Sequence, residues 1–505
     1  MSDGAIRHPQ AIERVTGVRT SLACGALAAA VQAAVIVPFL GRYGWDRDEL
    51  YFVSASRRPT WGYVDFPPAA AWIAWLVRAV AGDSLVALRF ASTAAVLVSV
   101  VLVALTAREL GGGWGAQTVA ALAWGLSPYA LGAGSIFHPT WFDLLCWVAL
   151  LYVVLLVFTR GEPRLWLLAG AVAGVGLEVK YTIAFLLVAL LVALVLSPGR
   201  RVLRTRWPWL GLAIALGITL PNLLWEAQHG WPSIHFFSSQ NAKTAGDTPP
   251  LSYVAGQLFL GAGLVLAVVG VVWLWRRPHL RTLALVLPVV TLLFLVERGR
   301  AYYPLPADAV AVAAGTVALS AWLRAGGKRR LAVLVPLIGL WAAALVLVAP
   351  VVLPVRSTAS MVRSGIWKQN FYKDEIGWPE LAAETARAWE RLPGAERADG
   401  AVVARNYGEA SALEHYGPAL GLPEVLSGHL SWQYWRPARL PQRFALLVGF
   451  APSDLALLCR SWSTLATIDN RWHLGNEERG RIVAGCRLRR PLGAIWAKEI
   501  ATDTL

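Results

Sequence analysis

The sequence contains few charged residues for its length. Only 15% of its 505 residues are Asp, Glu, Lys or Arg, whereas soluble globular domains carry about a quarter. Hydrophobic residues make up 56% of the chain, and the mean hydropathy is +0.52. Apolar runs of roughly 20 residues, the length needed to cross a bilayer, recur between residues 20 and 353. This composition excludes disordered, collagen-like and disulfide-scaffold proteins and predicts a membrane protein.

Several enzyme motifs are missing from the sequence. It contains no Walker lysine loop, no Gly-rich dinucleotide fingerprint after a strand and no nucleophile elbow. No spacing of His, Cys and carboxylates fits a zinc site. An ATP-driven or dinucleotide-dependent enzyme is therefore unsupported, and the sequence itself requires no cofactor.

The net charge of +15 suggests a nucleic-acid partner at first sight, but its distribution indicates a topology instead. Residues 1–355 hold 27 Lys and Arg against 15 Asp and Glu. Most of the excess lies in short loops between apolar runs, and short basic loops stay on the cytoplasmic side. Seventeen bases share that side, including Arg7, Arg14, Lys328, Arg329 and Arg330. We predict no nucleic-acid partner and a cytoplasmic N-terminus.

The apolar runs predict a polytopic α-helical membrane protein of about 11 spans. They lie near 20–40, 84–106, 115–135, 140–158, 165–178, 181–197, 207–224, 252–275, 282–296, 304–323 and 331–353. An odd number of spans places the tail outside the cytoplasmic (inner) membrane. We therefore predict a transmembrane domain at 1–355 and an extracytoplasmic soluble domain at 356–505.

Two outer loops separate these spans. The first, 41–83, contains a helix over Ala69–Ala81 that is too short to span, with Trp72, Trp75, Leu76 and Ala79 on one face. We predict that this helix lies on the outer leaflet among membrane lipids. The second loop, Trp225 to Pro250, is rich in Gly, Pro, Ser and Asn.

The tail has the composition of a soluble α/β domain. Strand-like runs occur at Gly400–Arg405, Arg443–Phe450, Leu465–Ile468 and Ile482–Leu488, and a helical stretch at Pro379–Arg391. Cys459 and Cys486 could form a disulfide in an oxidising compartment or remain free and buried.

Ionisable residues at span ends cluster on the predicted outer side, where they are candidates for function. The densest group is Asp46, Asp48 and Glu49, which could hold a divalent metal through Asp46 and Asp48 or supply a general base. It could equally be a solvated acidic loop neutralised by arginines.

Four further candidates also have two interpretations. Asp65 could act chemically or interact with the N-terminus of the Ala69–Ala81 helix, and Asp143 could be functional or pair with Lys180 or Arg89. Lys180 could extend to the interface or bind an anion. Tyr302 and Tyr303, after Arg298 and Arg300, could form an aromatic belt or a phosphate site. His138 and His229 are isolated.

In order along the chain, several segments resemble the polytopic GT-C glycosyltransferases, specifically the bacterial protein-mannosyltransferase-like group (family 39). They are Asp48-Glu49-Leu50-Tyr51, Asp65-Phe66-Pro67-Pro68, Leu88-Arg89-Phe90, Gly174–Lys180 with Tyr181, Pro221–Trp225 and His229–Pro232. In the tail, Ile376–Glu380, Asn406–Ala410 and Ser427–His429 are similar to the extracytoplasmic domain of such proteins. The lipid A aminoarabinose transferases are similar members.

This resemblance implies inverting transfer of a sugar from a polyprenyl-phosphate donor to an envelope acceptor, which could be a protein, a glycan or a lipid. It implies Asp48 as the base, with Asp65 orienting the acceptor or sugar and Glu49 as a further catalytic candidate. Lys180 and Arg89 would hold the donor phosphate, as would Arg300 and Tyr303. The remaining candidates are Asp46, Asp143 and His229. A divalent metal could take part. A lipid or polysaccharide transporter and a membrane-anchored assembly protein are the alternatives.

Overall fold

The structure is a computed structural model that describes residues 17–244, 249–369, 371–438, 440, 443–496 and 500–501. Fifteen helices in the described residues form the N-terminal part. They are α1 (Val18–Ile36), α2 (Arg47–Ser56), α3 (Ala69–Ala81), α4 (Leu85–Glu109), α5 (Trp114–Gly125), α6 (Pro128–Ala133), α7 (Pro139–Arg160), α8 (Leu165–Val179), α9 (Ile183–Leu196), α10 (Trp207–Gln228), α11 (Pro232–Thr244), α12 (Pro250–Gly256), α13 (Ala262–Trp275), α14 (Arg281–Val296) and α15 (Asp308–Val352).

The prediction of a polytopic helical membrane protein is confirmed. Within the described residues, six helical segments are long and apolar enough to cross a bilayer, and eight if each of two sharply bent pairs is one span. The six are Val18–Phe39, Leu85–Glu109, Pro139–Arg160, Trp207–Gln228, Pro278–Val296 and Leu305–Gly326. The predicted span 115–135 consists of α5 and α6, because Pro128 begins a new helix there.

One helical run, α15, covers the last two predicted spans. Its beginning packs closely on α13, since an added Cβ on Gly270 would lie 1.8 Å from the Ala311 carbonyl oxygen. Its end returns to α6, where an added Cβ on Gly132 would lie 3.6 Å from the Cβ of Val352. Small residues allow such close helix contacts in membranes.

The predicted basic loops lie together at one end of the helices. Arg160, at the end of α7, pairs with Glu109 at the end of α4 at 3.0 Å. The Ser197 and Thr282 hydroxyls, which follow α9 and open α14, are 2.7 Å apart. We call this the basic end. Arg7 and Arg14 lie outside the described residues, and nothing is described of the Lys328, Arg329 and Arg330 side chains.

The C-terminal part contains a mixed five-stranded sheet and six helices in the described residues. The strands are β1 (Gly400–Ala404), β2 (Val425–Ser427), β3 (Phe444–Val448), β4 (Cys459–Thr467) and β5 (Ile482–Leu488), in the order β2-β1-β3-β5-β4. The helices are α16 (Thr358–Ser364), α17 (Trp378–Glu390), α18 (Gly394–Ala398), α19 (Tyr407–Tyr416), α20 (Pro452–Leu458) and α21 (Leu492–Ile495). Strand β1 is parallel to β2 and β3, whereas β5 is antiparallel to β3 and β4.

Alternation along the strands divides the C-terminal core between the two faces of the sheet. Val402 and Leu446 face a cluster that also contains residues of α17, α19 and loop 41–83. Val403 and Leu447 face α20 and α21 on the other side. The predicted soluble α/β fold is therefore confirmed. A disulfide joins Cys459 in β4 to Cys486 in β5, which resolves the two alternatives left by the sequence.

The C-terminal domain sits on loop 41–83, at the end of the helices opposite the basic end. Arg58 pairs with Glu414 of α19 at 2.6 Å, and the Val64 amide donates to the Ser431 hydroxyl at 3.0 Å. Helix α3 has the predicted bounds, and its Trp75 and Leu76 are exposed while its alanine face is buried. The exposed apolar face supports an interfacial position for α3.

Both outer loops contain helices. The second outer loop contains helix α11, which begins at Pro232, a favourable first helical residue. The acidic cluster lies in the first turn of helix α2 and not in a solvated loop. The domain boundary at residue 355 stays a prediction.

Candidate active site

The acidic cluster begins helix α2 through a capping box. The Asp46 side chain accepts a hydrogen bond from the Asp48 amide at 2.8 Å, and Glu49 Oε2 accepts one from the Asp46 amide at 2.8 Å. Asp46 and Glu49 are buried, whereas the Asp48 side chain is 36% exposed. Of the three carboxylates, Asp48 is therefore the one that a ligand can reach.

Glu49 and Arg89 form a buried ion pair, which corrects their predicted roles. Arg89 Nε lies 2.8 Å from Glu49 Oε1, and its Nη2 lies 3.1 Å from Glu375 Oε2 in the C-terminal domain. Arg89 also donates to three backbone carbonyls, and none of its side chain is exposed. Burial raises the pKa of Glu375 to about 8, and Glu49 adds to this effect. With its donors occupied, Arg89 is not placed to hold a donor phosphate, nor is Glu49 placed to act as a base.

Asp48 is held by a residue from the C-terminal domain. The Tyr407 hydroxyl, in the first turn of α19, donates to Asp48 Oδ1 at 2.6 Å. Burial and the neighbouring Asp48 charge raise the pKa of Tyr407 well above its usual range, so the phenol keeps the proton that it donates. On the other side, Asp48 Oδ2 lies 3.8 Å from Nε2 of His138. Asp48 thus has a fixed orientation.

A cationic and aromatic group lies next to Asp48. Lys180, between α8 and α9, donates to the Thr140 hydroxyl at 2.6 Å, and its Nζ lies 4.7 Å from the Tyr303 ring centroid. The Tyr303 amide donates to the Arg300 carbonyl at 3.1 Å, and the Arg300 guanidinium interacts electrostatically with Tyr303 and Asp48. The structure therefore brings together three residues that the sequence proposed for phosphate binding: Lys180, Arg300 and Tyr303.

His138 connects the acidic and cationic halves of this site. Its Nδ1 accepts a hydrogen bond from the Thr140 amide at 3.2 Å, and Thr140 is the partner of Lys180. Burial lowers the pKa of His138 to about 4, and the charges of Lys180 and Arg300 lower it further against the opposing effect of Asp48. His138 is therefore neutral at pH 7, and the positive charge near Asp48 comes from Arg47, whose Nε lies 3.9 Å from Asp48 Oδ1, and from Lys180 and Arg300.

Asp65 is connected to Tyr407 through Tyr51. Tyr51 of α2 donates to Asp65 Oδ1 at 2.9 Å, and the rings of Tyr51 and Tyr407 have centroids 4.9 Å apart. Pro68 occupies the N-cap of α3 and provides no side-chain cap. Asp48 and Asp65 both interact electrostatically with Tyr407, which places both carboxylates around one phenol.

Asp143 lies near Lys180, with which it interacts electrostatically, whereas His229 lies apart from this group. Asp143 is buried within α7, where it accepts hydrogen bonds from Trp147 Nε1 at 3.0 Å and the Thr182 hydroxyl at 2.7 Å. These neutral partners replace the ion pair expected with Lys180 or Arg89. His229 is exposed beyond the end of α10, where it lines a separate cavity.

The structure gives no further support for a metal site at Asp46 and Asp48. No group of three or more His, Cys, Asp or Glu residues suited to a metal ion occurs among the residues described. Asp46 is occupied as the N-cap of α2 and is 5% exposed. The two side chains therefore do not form a shared exposed site.

Sequence reasoning missed the contributions of Tyr407, Tyr51 and Glu375. Tyr407 and Asp48 are 359 positions apart, so no local pattern relates them. Asn406 and Glu409 do form a capping box that starts α19 at Tyr407, and that signal was present in the sequence. It locates the helix but not its contact with Asp48.

Comparisons with known proteins agree with this architecture. Residues 65–225 match the family model described as dolichyl-phosphate-mannose-protein mannosyltransferase. That segment contains Asp65, His138 and Lys180. No curated protein matches the chain. The resemblance to the protein-mannosyltransferase-like group is confirmed.

The fold is similar to that of solved GT-C structures. The crystal structure of ArnT from Cupriavidus metallidurans bound to undecaprenyl phosphate is 15% identical and has a TM-score of 0.60, covering 91% of this chain and 97% of that one. ArnT from the same organism in the apo state is 14% identical with a TM-score of 0.59 and the same coverage. At these identities the likeness establishes the fold: the chain has the GT-C fold, with a C-terminal α/β domain on one end of the helices.

Proposed function

We propose that this GT-C membrane protein transfers a sugar from a polyprenyl-phosphate donor to an acceptor hydroxyl, with inversion at the anomeric carbon. The observation that carries this proposal is the juxtaposition of one oriented carboxylate, Asp48, with the cations Lys180 and Arg300 at the domain junction. The family match and the fold support the same reaction class.

The cationic half suits the leaving group. When the bond between the sugar C1 and the phosphate oxygen breaks, the electron pair stays on the polyprenyl phosphate, whose charge needs stabilisation. Lys180 supplies a point charge, Arg300 supplies fixed donors, and the Tyr303 hydroxyl supplies one more. The ArnT structure with undecaprenyl phosphate shows that a protein of this fold binds such a lipid phosphate.

The acidic half suits the nucleophile. Asp48 would remove the proton of the acceptor hydroxyl as its oxygen forms the new bond to C1. One carboxylate is sufficient because the phosphate leaves without protonation, unlike the leaving group in glycoside hydrolysis. Direct displacement inverts the anomeric centre. Asp65, held by Tyr51, would orient the acceptor or the sugar.

The proposed location is the cytoplasmic membrane, with the basic end of the helices in the cytoplasm and the C-terminal domain outside. The basic loops gathered at one end support this orientation through the positive-inside rule. The Cys459–Cys486 disulfide supports an oxidising compartment for the C-terminal domain.

Envelope analysis tests the function whichever sugar is transferred. Glycans, lipids and proteins from a strain lacking this chain should lose one sugar from one component by mass spectrometry, and the wild-type chain should restore it. An envelope unchanged in every fraction would contradict the proposed transfer. If the sugar that is missing from the envelope component accumulates on a polyprenyl lipid, that lipid is the donor.

A further inference from the structure

A cavity of about 300 Å³ lies at the junction of the two domains, and we call it the junction cavity. Its walls come from three parts of the chain: loop 41–83, the end of α10 with His229 after it, and the 3₁₀ turn Leu430–Tyr434 with Trp435. The cavity therefore exists only when the C-terminal domain is docked. Of the predicted site residues, all of which the structure describes, its lining contains only His229.

From these walls we infer that the cavity binds a neutral sugar ring, the acceptor of the proposed transfer. Trp225 and His229 stack with centroids 4.1 Å apart, and Tyr434 meets both rings edge-on. Aromatic faces pack against the C–H face of a pyranose, while hydroxyl and imidazole groups bond its edge. The inference rests on the proposed function, because it identifies the substrate class of the same site.

The polar groups of the cavity suit hydroxyls better than an anion. Arg58 is the cation in its lining, but it is paired with Glu414 at 2.6 Å and stacks on Trp435 with its guanidinium 5.1 Å from the ring centroid. His229 Nδ1 donates to the Trp225 carbonyl at 2.8 Å, since a carbonyl can only accept. This bond uses Nδ1, so we assign contact with a ligand hydroxyl to Nε2 of His229.

The backbone around the cavity is constrained in a manner typical of binding sites. Trp231, two residues after His229, has a φ of 60°, an uncommon conformation for a bulky residue. An added Cβ on Gly62 would lie 2.2 Å from the Trp225 ring. The chain therefore maintains a left-handed turn and a glycine to hold these aromatic rings in place.

Hydrogen bonds connect the wall of this cavity to Asp65, and they connect Trp61, beside the wall, to Tyr181. Ser431, in the cavity wall, donates its amide to the Tyr51 hydroxyl at 3.1 Å, and Tyr51 donates to Asp65. On the other side, Asn222 near the end of α10 accepts from the hydroxyl of Tyr181, which follows Lys180, and donates to the Trp61 carbonyl at 2.9 Å. The cavity wall is thus joined to Asp65 through Ser431 and Tyr51.

Saturation-transfer-difference NMR on the full-length protein in deuterated detergent tests the inference. The probes are methyl α-mannoside, methyl β-galactoside, N-acetylglucosamine and a Ser/Thr-containing peptide. We expect at least one sugar to receive saturation at its ring protons. The variants are His229→Ala and Tyr434→Ala, and the matched control is Trp462→Ala, which removes an exposed aromatic ring of β4 outside the cavity lining. Each cavity variant should weaken binding about threefold to tenfold, and the control should not.

Separate outcomes overturn the inference. The first is that no sugar gives a signal above that of detergent alone. The second is that neither cavity variant weakens sugar binding. The third is that the peptide gives a signal that requires His229 while no sugar binds. Undecaprenyl phosphate binding, measured on the same samples, should be equal in His229→Ala and wild type. If lipid binding is present and sugar binding is absent, the acceptor inference fails and the donor proposal stands. If lipid binding is absent while sugars bind, the donor proposal fails instead.

Discussion

The hydroxyl of Tyr407 lies 2.6 Å from Oδ1 of Asp48, although the two residues are 359 positions apart and belong to different domains. Arg47, next to Asp48, stacks on the Tyr407 ring at 5.4 Å and pairs with Glu477 of the C-terminal domain at 2.7 Å. The C-terminal domain therefore supplies part of the candidate active site, in addition to part of the wall of the cavity at the domain junction.

Removal of the Tyr407 hydroxyl should slow transfer without unfolding the protein. A hydrogen bond to a charged group contributes about 1.5–3 kcal/mol, so Tyr407→Phe should lower kcat about tenfold or more. The donor KM should change little, because Tyr407 contacts neither Lys180 nor Arg300. Tyr416→Phe in the same helix is the control. Equal kcat values for the Tyr407 variant and wild type would show that the hydrogen bond does not orient Asp48.

Lys180 should bind the lipid phosphate. Lys180→Met keeps the length of the side chain and removes its charge, so the Kd for undecaprenyl phosphate in detergent should rise about tenfold or more. Arg200→Met, which removes an exposed charge at the basic end, should leave the Kd unchanged. Microscale thermophoresis or native mass spectrometry measures both. Identical losses in the two variants would indicate non-specific attraction.

Arg89 should matter for folding more than for chemistry. Removal of one partner from a buried ion pair leaves an uncompensated charge and costs about 3–5 kcal/mol. Arg89→Met should therefore lower the melting temperature and the yield of monodisperse protein, because Glu49 and Glu375 lose their shared partner. Arg108→Met at the basic end is the control. A fully stable Arg89→Met protein that has lost only lipid binding would restore the phosphate role given by the sequence.

Acid should destabilise the protein partly through His138. Its pKa falls from 6.5 to about 4 in the folded state, so between those values the unfolded chain binds a proton that the folded chain does not. The stability from the neutral imidazole is present above about pH 6.5 and is lost as the pH falls toward 4. His138→Gln cannot titrate, so its melting temperature should fall less than that of wild type over this window. If the melting temperatures of the two proteins fell equally over this pH range, the lowered pKa of His138 would be contradicted.

Local patterns predicted the parts of the fold that depend on periodicity. The bounds of α3 followed from Pro67-Pro68 and an apolar stripe, and the bounds of β5 followed from a short apolar run. The capping box of Asp46 and Glu49 is equally local, yet three carboxylates within four residues are also typical of a solvated loop. Helix α2 shows that acidic residues in a first turn can serve the helix itself.

The site was only partly predictable from the sequence, because the burial of a side chain and its contacts with distant parts of the chain depend on the tertiary structure. Lys180 and Arg300 lie where the topology placed them, beside Asp48. Arg89, like Lys180 and Arg300, lies near the end of a predicted span. The structure nevertheless buries its side chain completely between two carboxylates. No single-sequence pattern separates a buried arginine from an exposed one, and none relates Tyr407 to Asp48.

The most direct test is a transfer assay on purified Asp48→Asn protein. The donor is the polyprenyl-phosphate sugar from the lipid fraction of the source membranes, and the readout is the release of polyprenyl phosphate in detergent with the acceptor fraction. Loss of the base should reduce the rate at least ~100-fold, with undecaprenyl phosphate binding and melting temperature retained. Asp83→Asn, an exposed carboxylate paired with Arg57 at 2.9 Å, should turn over like wild type. Wild-type turnover by Asp48→Asn would contradict the assignment of Asp48 as the catalytic base.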